Sequence, residues 1–248
     1  MTVGSLFAGI GGFDLGLERA GFTIRWQVEI DPYCQRVLAK HWPTVTRYGD
    51  IREVDWHAVE PVDLLCGGFP CQDISFAGKG AGLTGERSGL WFEYANAIEV
   101  LKPRYVLIEN VAALRSRGLD QVLGTLAALG YDAEWHCIPA CAVGAPHRRD
   151  RVWVVAYSDC ESINILHHAG GMEGSQEVAP TWKMDHCNRD SGRSWPFRWT
   201  PEPAVDRVAH GIPARVDRLR GLGNAIVPQI AEMIGHAILH AEIQNTVA

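Results

Sequence analysis

Two residues stand where reactive chemistry is easiest to argue. Cys71 closes the run Leu64-Leu65-Cys66-Gly67-Gly68-Phe69-Pro70-Cys71, a buried-strand pattern that passes into a glycine turn. The proline before Cys71 fixes the backbone there, and with it the direction of the thiol. Only the thiolate is a good nucleophile, so such a site needs nearby positive charge or amide donors. Cys66, inside the apolar run, reads as a small buried hydrophobe. Glu109 closes a second apolar run, Tyr105–Ile108, and is followed by Asn110-Val111. A carboxylate at the tip of a buried strand loses hydration and can hold a proton near neutral pH; the competing role is a cap for the next helix. Beyond Cys71, Gly78, Gly80, Gly82 and Gly85 mark a loop expected to move as a lid.

A third feature suits ligand binding. Leu6-Phe7-Ala8-Gly9-Ile10-Gly11-Gly12-Phe13 lies between a strand pattern and a helix pattern. Glycines there let the backbone approach a ligand, and the helix that follows offers free N–H groups. Glu29 falls 20 residues after Gly9, where a carboxylate can accept both ribose hydroxyls. The NAD fingerprint asks for a third glycine, and Asp14 stands in its place. A different adenosine-containing cofactor is therefore the better expectation, and no GxxxxGK[ST] phosphate loop is present. Asp50 in Gly49-Asp50-Ile51 could follow a third strand and accept from an adenine amino group.

These residues need a scaffold, and the apolar pattern supplies one. Strands are expected at Val3–Phe7, Ile24–Glu29, Val62–Cys66, Tyr105–Glu109, Ala133–Ile138 and Val152–Tyr157, with helices at Phe13–Ala20, Pro32–His41, Leu90–Leu101 and Leu119–Leu129. Asp31-Pro32 reads as a helix start, and Gly21 and Gly130 as helix stops. Strands alternating with helices predict an α/β fold with a parallel sheet covered on both faces. Residues 159–205 lose the period and read as a loop-rich lobe; a helical pattern resumes from Gly223.

Composition narrows the class. The 248 residues are 47% hydrophobic and 21% charged, which excludes general disorder. No 18-residue apolar run suggests a membrane span, and the N-terminus has no signal-like segment. Seven scattered cysteines point to free thiols in a reducing compartment, and no Cys or His pair completes a zinc site with Cys137 and Cys141. The net charge of −6 disfavours a nucleic-acid partner. Between 189 and 220, however, seven arginines face four acids, a local excess that could hold a polyanion.

Taken in order, the motifs resemble those of the cytosine-C5 DNA methyltransferase family, which uses S-adenosyl-L-methionine. FAGIGG, the segment ending in Glu29, Gly49-Asp50-Ile51, GFPCQDIS, Glu109-Asn110-Val111, Arg149-Asp150-Arg151-Val152 and Arg220-Gly221-Leu222-Gly223-Asn224-Ala225 with Val227-Pro228 follow the family's sequence of motifs. The resemblance implies a Rossmann-like sheet with helices on both faces and a small irregular target-recognition lobe. It assigns 1–158 to catalysis and cofactor binding, 159–210 to target recognition, and 211–248 to a segment returning to the catalytic domain.

The resemblance also implies roles. Cys71 would add to C6 of cytosine, Glu109 would hold the proton at N3, and Asn110 would support the loop. Arg149 and Arg151 would contact the base O2 and the backbone around the site. Phe7, Ala8, Gly9, Gly11 and Gly12 would surround the methionine and ribose of the cofactor, with Glu29 on the ribose and Ile30 on the adenine. Asp50 and Ile51 would meet the adenine edge, and Leu90, Asn224 and Ala225 would complete the pocket. The base would be flipped out of double-stranded DNA. No metal or membrane is expected. The protein is expected to be a cytoplasmic monomer of bacterial or phage origin, with a cognate restriction endonuclease as a partner to look for.

Two departures qualify the resemblance. His147 replaces the glutamine of the family's QxRxR motif, and the recognition region is short. Arg189, Arg193, Arg198 and Arg207 are candidate phosphate or guanine contacts, and Trp182, Trp195 and Trp199 fit a small core better than base stacking. The alternatives are a tRNA cytosine-5 methyltransferase with the same motifs and a non-catalytic DNA-binding homologue. A nicotinamide-dependent dehydrogenase fails at Asp14.

Overall fold

The computed structural model describes residues 1–70, 89–158 and 221–247. Cys71, the glycine loop that follows it, and the arginines and tryptophans of the 159–210 region lie outside the described residues.

Seven strands form one sheet in the order β3-β2-β1-β4-β5-β7-β6. They are β1 (Thr2–Leu6), β2 (Thr23–Val28), β3 (Thr46–Tyr48), β4 (Leu64–Gly67), β5 (Tyr105–Val111), β6 (Asp132–Pro139) and β7 (Asp150–Tyr157). The helices with bounds among the described residues are α1 (Gly12–Ala20), α2 (Pro32–His41), α3 (Leu90–Leu101), α4 (Leu114–Arg117), α5 (Leu119–Ala128) and α6 (Pro228–Val247), and residues 221–224 are also helical. The Asp31 side chain accepts from the Tyr33 and Cys34 amides at the start of α2, with Pro32 in its first turn. Gly21, left-handed at φ 106°, stops α1.

Strand residues alternate between two cores. Leu65, Val106 and Ile108 meet Trp91 and Ile98 of α3 and Val122 and Leu126 of α5. Leu64, Val3 and Leu107 face the other way, onto Phe13 and Leu17 of α1 and Ile230, Ile234 and Ile238 of α6. Each fully buried aliphatic side chain contributes roughly 1.5–3 kcal/mol, so both faces of the sheet are driven into cover.

Three expectations need correction. The sheet is mixed, because β7 runs antiparallel to both β5 and β6. The stretch from 140 to 149 between β6 and β7 is too short for a crossover helix, so it returns as an antiparallel connection. The last helix starts at Pro228, with a non-helical break over 225–227, because a residue preceding proline is pushed out of helical geometry. Cys66 and Cys137 are free thiols, but Cys141 is disulfide-bonded, and chain spacing does not show which cysteines a fold brings together.

Candidate active site

Parallel pairing of β2, β1, β4 and β5 puts their C-terminal ends on one edge of the sheet. The antiparallel β7 adds its beginning to that edge, with Arg151 opposite Val111. The glycine bend, Glu29, Gly68–Pro70, Glu109-Asn110 and Arg149–Arg151 therefore meet along the same rim.

Glu109 is the buried acid of this rim, with 9% of its surface exposed. Arg151 Nε lies 2.9 Å from Glu109 Oε1. Burial nevertheless pushes the Glu109 carboxyl up to about 7, against the pull of Arg151 and Arg149. Next to it, Asn110 Nδ2 donates to the Phe69 carbonyl at 3.3 Å, and the Val111 amide donates to Asn110 Oδ1 at 2.8 Å. This clip fixes the backbone two residues before Cys71. The Phe69 ring packs against Trp91, centroid to centroid at 5.4 Å.

Arg149 turns elsewhere. Its Nη2 donates to the carbonyls of Gly223 and Ala225, each at 2.8 Å, and its backbone is left-handed at φ 40°. A non-glycine residue held there is strained, and such strain survives only where neighbours over-determine it. Arg149 thus ties the closing segment, including Asn224 and Ala225, to the acid's surroundings.

The glycine bend is held by Glu29. The Gly9 amide donates to Glu29 Oε2 and the Asp31 amide to Oε1, each at 2.7 Å. Burial raises the Glu29 carboxyl despite these two donors. Phe7 is left-handed at φ 51°, as are Gly9 and Gly11. A side chain on Gly11 would also drive into the Trp42 ring at 2.4 Å. Ala8 is buried beside Leu38 and Trp42, and Gly12 backs onto Ile226. Ile30 is 61% exposed directly beyond Glu29.

Asp50 and Ile51 are placed differently from the rest. The Asp50 carboxylate caps the short turn Ile51–Glu53 and pairs with Arg52, which holds it below the ordinary carboxylate range. The Ile51 side chain belongs to the core. A cavity of about 290 Å³ borders Asp50, lined also by Tyr48, Val54 and Val59. Leu90 begins α3 and lies half-buried against the core.

The residues do fit an adenosine-type ligand. A carboxylate has about four lone-pair positions, and two amides leave Glu29 room to accept from ribose hydroxyls. The exposed apolar Ile30 beside it offers a face for a base.

Sequence reasoning missed the closeness of Gly68 to the acid. A side chain there would stand 3.1 Å from Glu109 Oε2. The paired glycines at 67 and 68 were the available signal.

A family profile described as C-5 cytosine-specific DNA methylase matches residues 1–185. The chain belongs to this family. Among curated relatives, the Type II methyltransferase M2.BsuMI of Bacillus subtilis (strain 168) is 34% identical over 212 residues, covering 81% of this chain and 51% of the relative. The Type II methyltransferase M.NgoBI of Neisseria gonorrhoeae is 34% identical over 211 residues, covering 81% and 66%. The methylase chain thus spans about half to two thirds of the length of these relatives. A Spodoptera frugiperda DNMT2 structure, 19% identical, superposes with a TM-score of 0.56 over 66% of this chain and 51% of that one; this likeness concerns the fold. No helix among the described residues is long and apolar enough to cross a membrane.

Proposed function

We propose that this protein transfers a methyl group from S-adenosyl-L-methionine to C5 of a cytosine in double-stranded DNA, as the modification arm of a restriction-modification pair. The observation that carries the reading is a buried acid, Glu109, paired with Arg151 on the rim where Asn110 clips the backbone leading to Pro70-Cys71. Membership of the C-5 cytosine-specific methylase family supports it.

Cytosine C5 is too electron-poor to attack a methyl donor unaided. Cys71 adds as thiolate to C6 and makes C5 nucleophilic. Glu109 holds a proton at N3, where it offsets the negative charge that addition pushes onto the ring. Its raised proton affinity suits that role at neutral pH. Arg151 keeps the carboxyl aimed, and Asn110 sets the path into the nucleophile loop. After methylation the C5 proton leaves, the thiolate is expelled and the ring is restored. A duplex hides C6, so the cytosine must be flipped out. The cofactor supplies a methyl made electrophilic by its sulfonium. Glu29 would take its ribose, Ile30 its adenine face, and the Phe7–Gly12 bend its methionine part. Residues 159–210 would read the target site.

The test is methyl incorporation from radiolabelled S-adenosyl-L-methionine into duplex DNA and into tRNA, with trapping on 5-fluorocytosine duplexes. Duplex labelling and a denaturant-resistant adduct that Cys71→Ala abolishes are expected. Labelling of tRNA alone would shift the substrate, and no adduct on either polymer would refute the covalent route.

A further inference from the structure

Asp14, which breaks the dinucleotide fingerprint, is the least expected side chain in the fold. It is fully buried, in the first turn of α1, between that helix and the sheet. Ser5 Oγ of β1 donates to its Oδ2 at 3.2 Å, and Gln27 Nε2 of β2 donates to its Oδ1 at 2.7 Å. Ser5 and Gln27 are themselves fully buried. Gln27 Oε1 has no hydrogen-bond partner among the described residues. No ion pair to Asp14 occurs among the described residues, so an ionised carboxylate here is stabilised by two neutral donors and by the start of a helix.

The positions of the three partners are what matter. Ser5 lies two residues before Phe7, Gln27 two residues before Glu29, and Asp14 two residues after Gly12. Phe7, Glu29 and Gly12 belong to the three segments that form the glycine bend. Asp14 therefore joins, from below, the segments that the Gly9–Glu29 hydrogen bond joins from above. A network held at both levels is stiffer than either bond alone.

We infer that Asp14 is a positioning residue for the cofactor bend, clamping β1, β2 and α1 so that Gly9 and Glu29 keep a binding-competent geometry. This rests on the cofactor site proposed above. Asp14 touches no ligand itself; its effect runs through Ser5 and Gln27. Other titratable groups facing it are Cys66 of β4, fully buried, and Glu18 one turn along α1. Burial also pushes the Asp14 carboxyl up to about 6, so the clamp changes its hydrogen-bonding pattern in mildly acidic solution.

The experiment compares Asp14→Ala, Asp14→Asn and Ser5→Ala by calorimetric binding of S-adenosyl-L-homocysteine and by hydrogen exchange of the 8–12 amides without ligand. Asp14→Ala should weaken binding by about tenfold or more and speed exchange at Gly9 and Gly11, while kcat at saturating cofactor stays within about twofold. Asp14→Asn should restore affinity, because asparagine Oδ1 can still accept from Gln27 Nε2 while its Nδ2 donates to Ser5 Oγ. Ser5→Ala should fall between. A purely structural role would lower the melting temperature of Asp14→Ala and leave affinity intact well below that temperature; this result overturns the inference. Should Asp14→Ala not fold, wild-type affinity in Ser5→Ala overturns it instead. Should wild-type protein bind no cofactor analogue, the cofactor reading fails; unchanged exchange in the variants would then overturn the clamp separately.

Discussion

Arg151 Nε sits 2.9 Å from Glu109 Oε1, yet the Glu109 carboxyl still titrates near 7. Burial outweighs the nearby guanidinium, so this ion pair leaves the acid poised rather than locked in its charged form. Because the folded-state value lies above that of the unfolded chain, the stability Glu109 contributes is full below the ordinary carboxylate range. It is lost as pH rises toward about 7.

Glu109→Gln should therefore flatten the pH dependence of unfolding between about 4.5 and about 7, with the variant gaining on wild type at the upper end. Activity should move oppositely, with kcat falling by about a hundredfold or more. In the wild type, kcat/KM should decline as pH rises past about 7, where the free enzyme loses the required proton. A pH-independent wild-type profile over that range would remove Glu109 from the proton role.

Arg149 separates two roles for one residue. By resemblance it would touch the base; in the structure it holds the Gly223 and Ala225 carbonyls. Both bonds come from one nitrogen, Nη2; lysine keeps the charge, but its shorter stem and tetrahedral ammonium do not place donors on both carbonyls as the planar guanidinium does. Arg149→Lys should weaken S-adenosyl-L-homocysteine binding by about five- to tenfold in calorimetry, with 5-fluorocytosine trapping retained at saturating cofactor. Intact cofactor affinity with lost trapping would return Arg149 to the base.

These two arginines also show where sequence reading stopped. The elements of the sheet edge were legible because local rules made them. Asp31-Pro32 starts α2, Gly21 ends α1, and alternating faces set Leu64 and Leu65 apart. The direction of β7 was not legible, since strand patterns carry no polarity, and that direction is what brings Arg151 opposite Val111. Arg149 reaches residues 74 and 76 positions away, a pairing no local period encodes. Asp14 was read as a missing glycine, because only the fold reveals Ser5 and Gln27 on either side of it.

Asn110 offers a test of the proposed nucleophile loop through its hydrogen bond to Phe69. It is 3% exposed and satisfies both the Val111 amide and the Phe69 carbonyl. Asn110→Asp keeps an acceptor for Val111 but sets a carboxylate oxygen against the Phe69 carbonyl. It also adds negative charge beside Glu109. Unfolding stability should drop by about 1–3 kcal/mol, and trapping on 5-fluorocytosine DNA should slow by more than that loss explains. A stability loss with unchanged trapping would make Asn110 a fold residue alone.

Gly68→Ala separates the site from the core most cleanly. Its new methyl would stand 3.1 Å from Glu109 Oε2 and 3.2 Å from the Glu109 carbonyl, tight enough that the acid must shift by a few tenths of an ångström. Gly16→Ala meets different neighbours: the Pro228 carbonyl at 2.3 Å and the Ala231 methyl at 2.7 Å, at the contact between α1 and α6. Overpacking a closed contact typically costs about 1–3 kcal/mol, so Gly16→Ala should lower the melting temperature while the folded fraction keeps its rate. Gly68→Ala should do the reverse. Its melting temperature should stay within a few degrees, and kcat should fall by about tenfold, because an acid displaced from its proton acceptor loses transition-state stabilisation first. If both variants melt early and retain activity per folded molecule, Gly68 serves packing, and its closeness to Glu109 has no catalytic meaning.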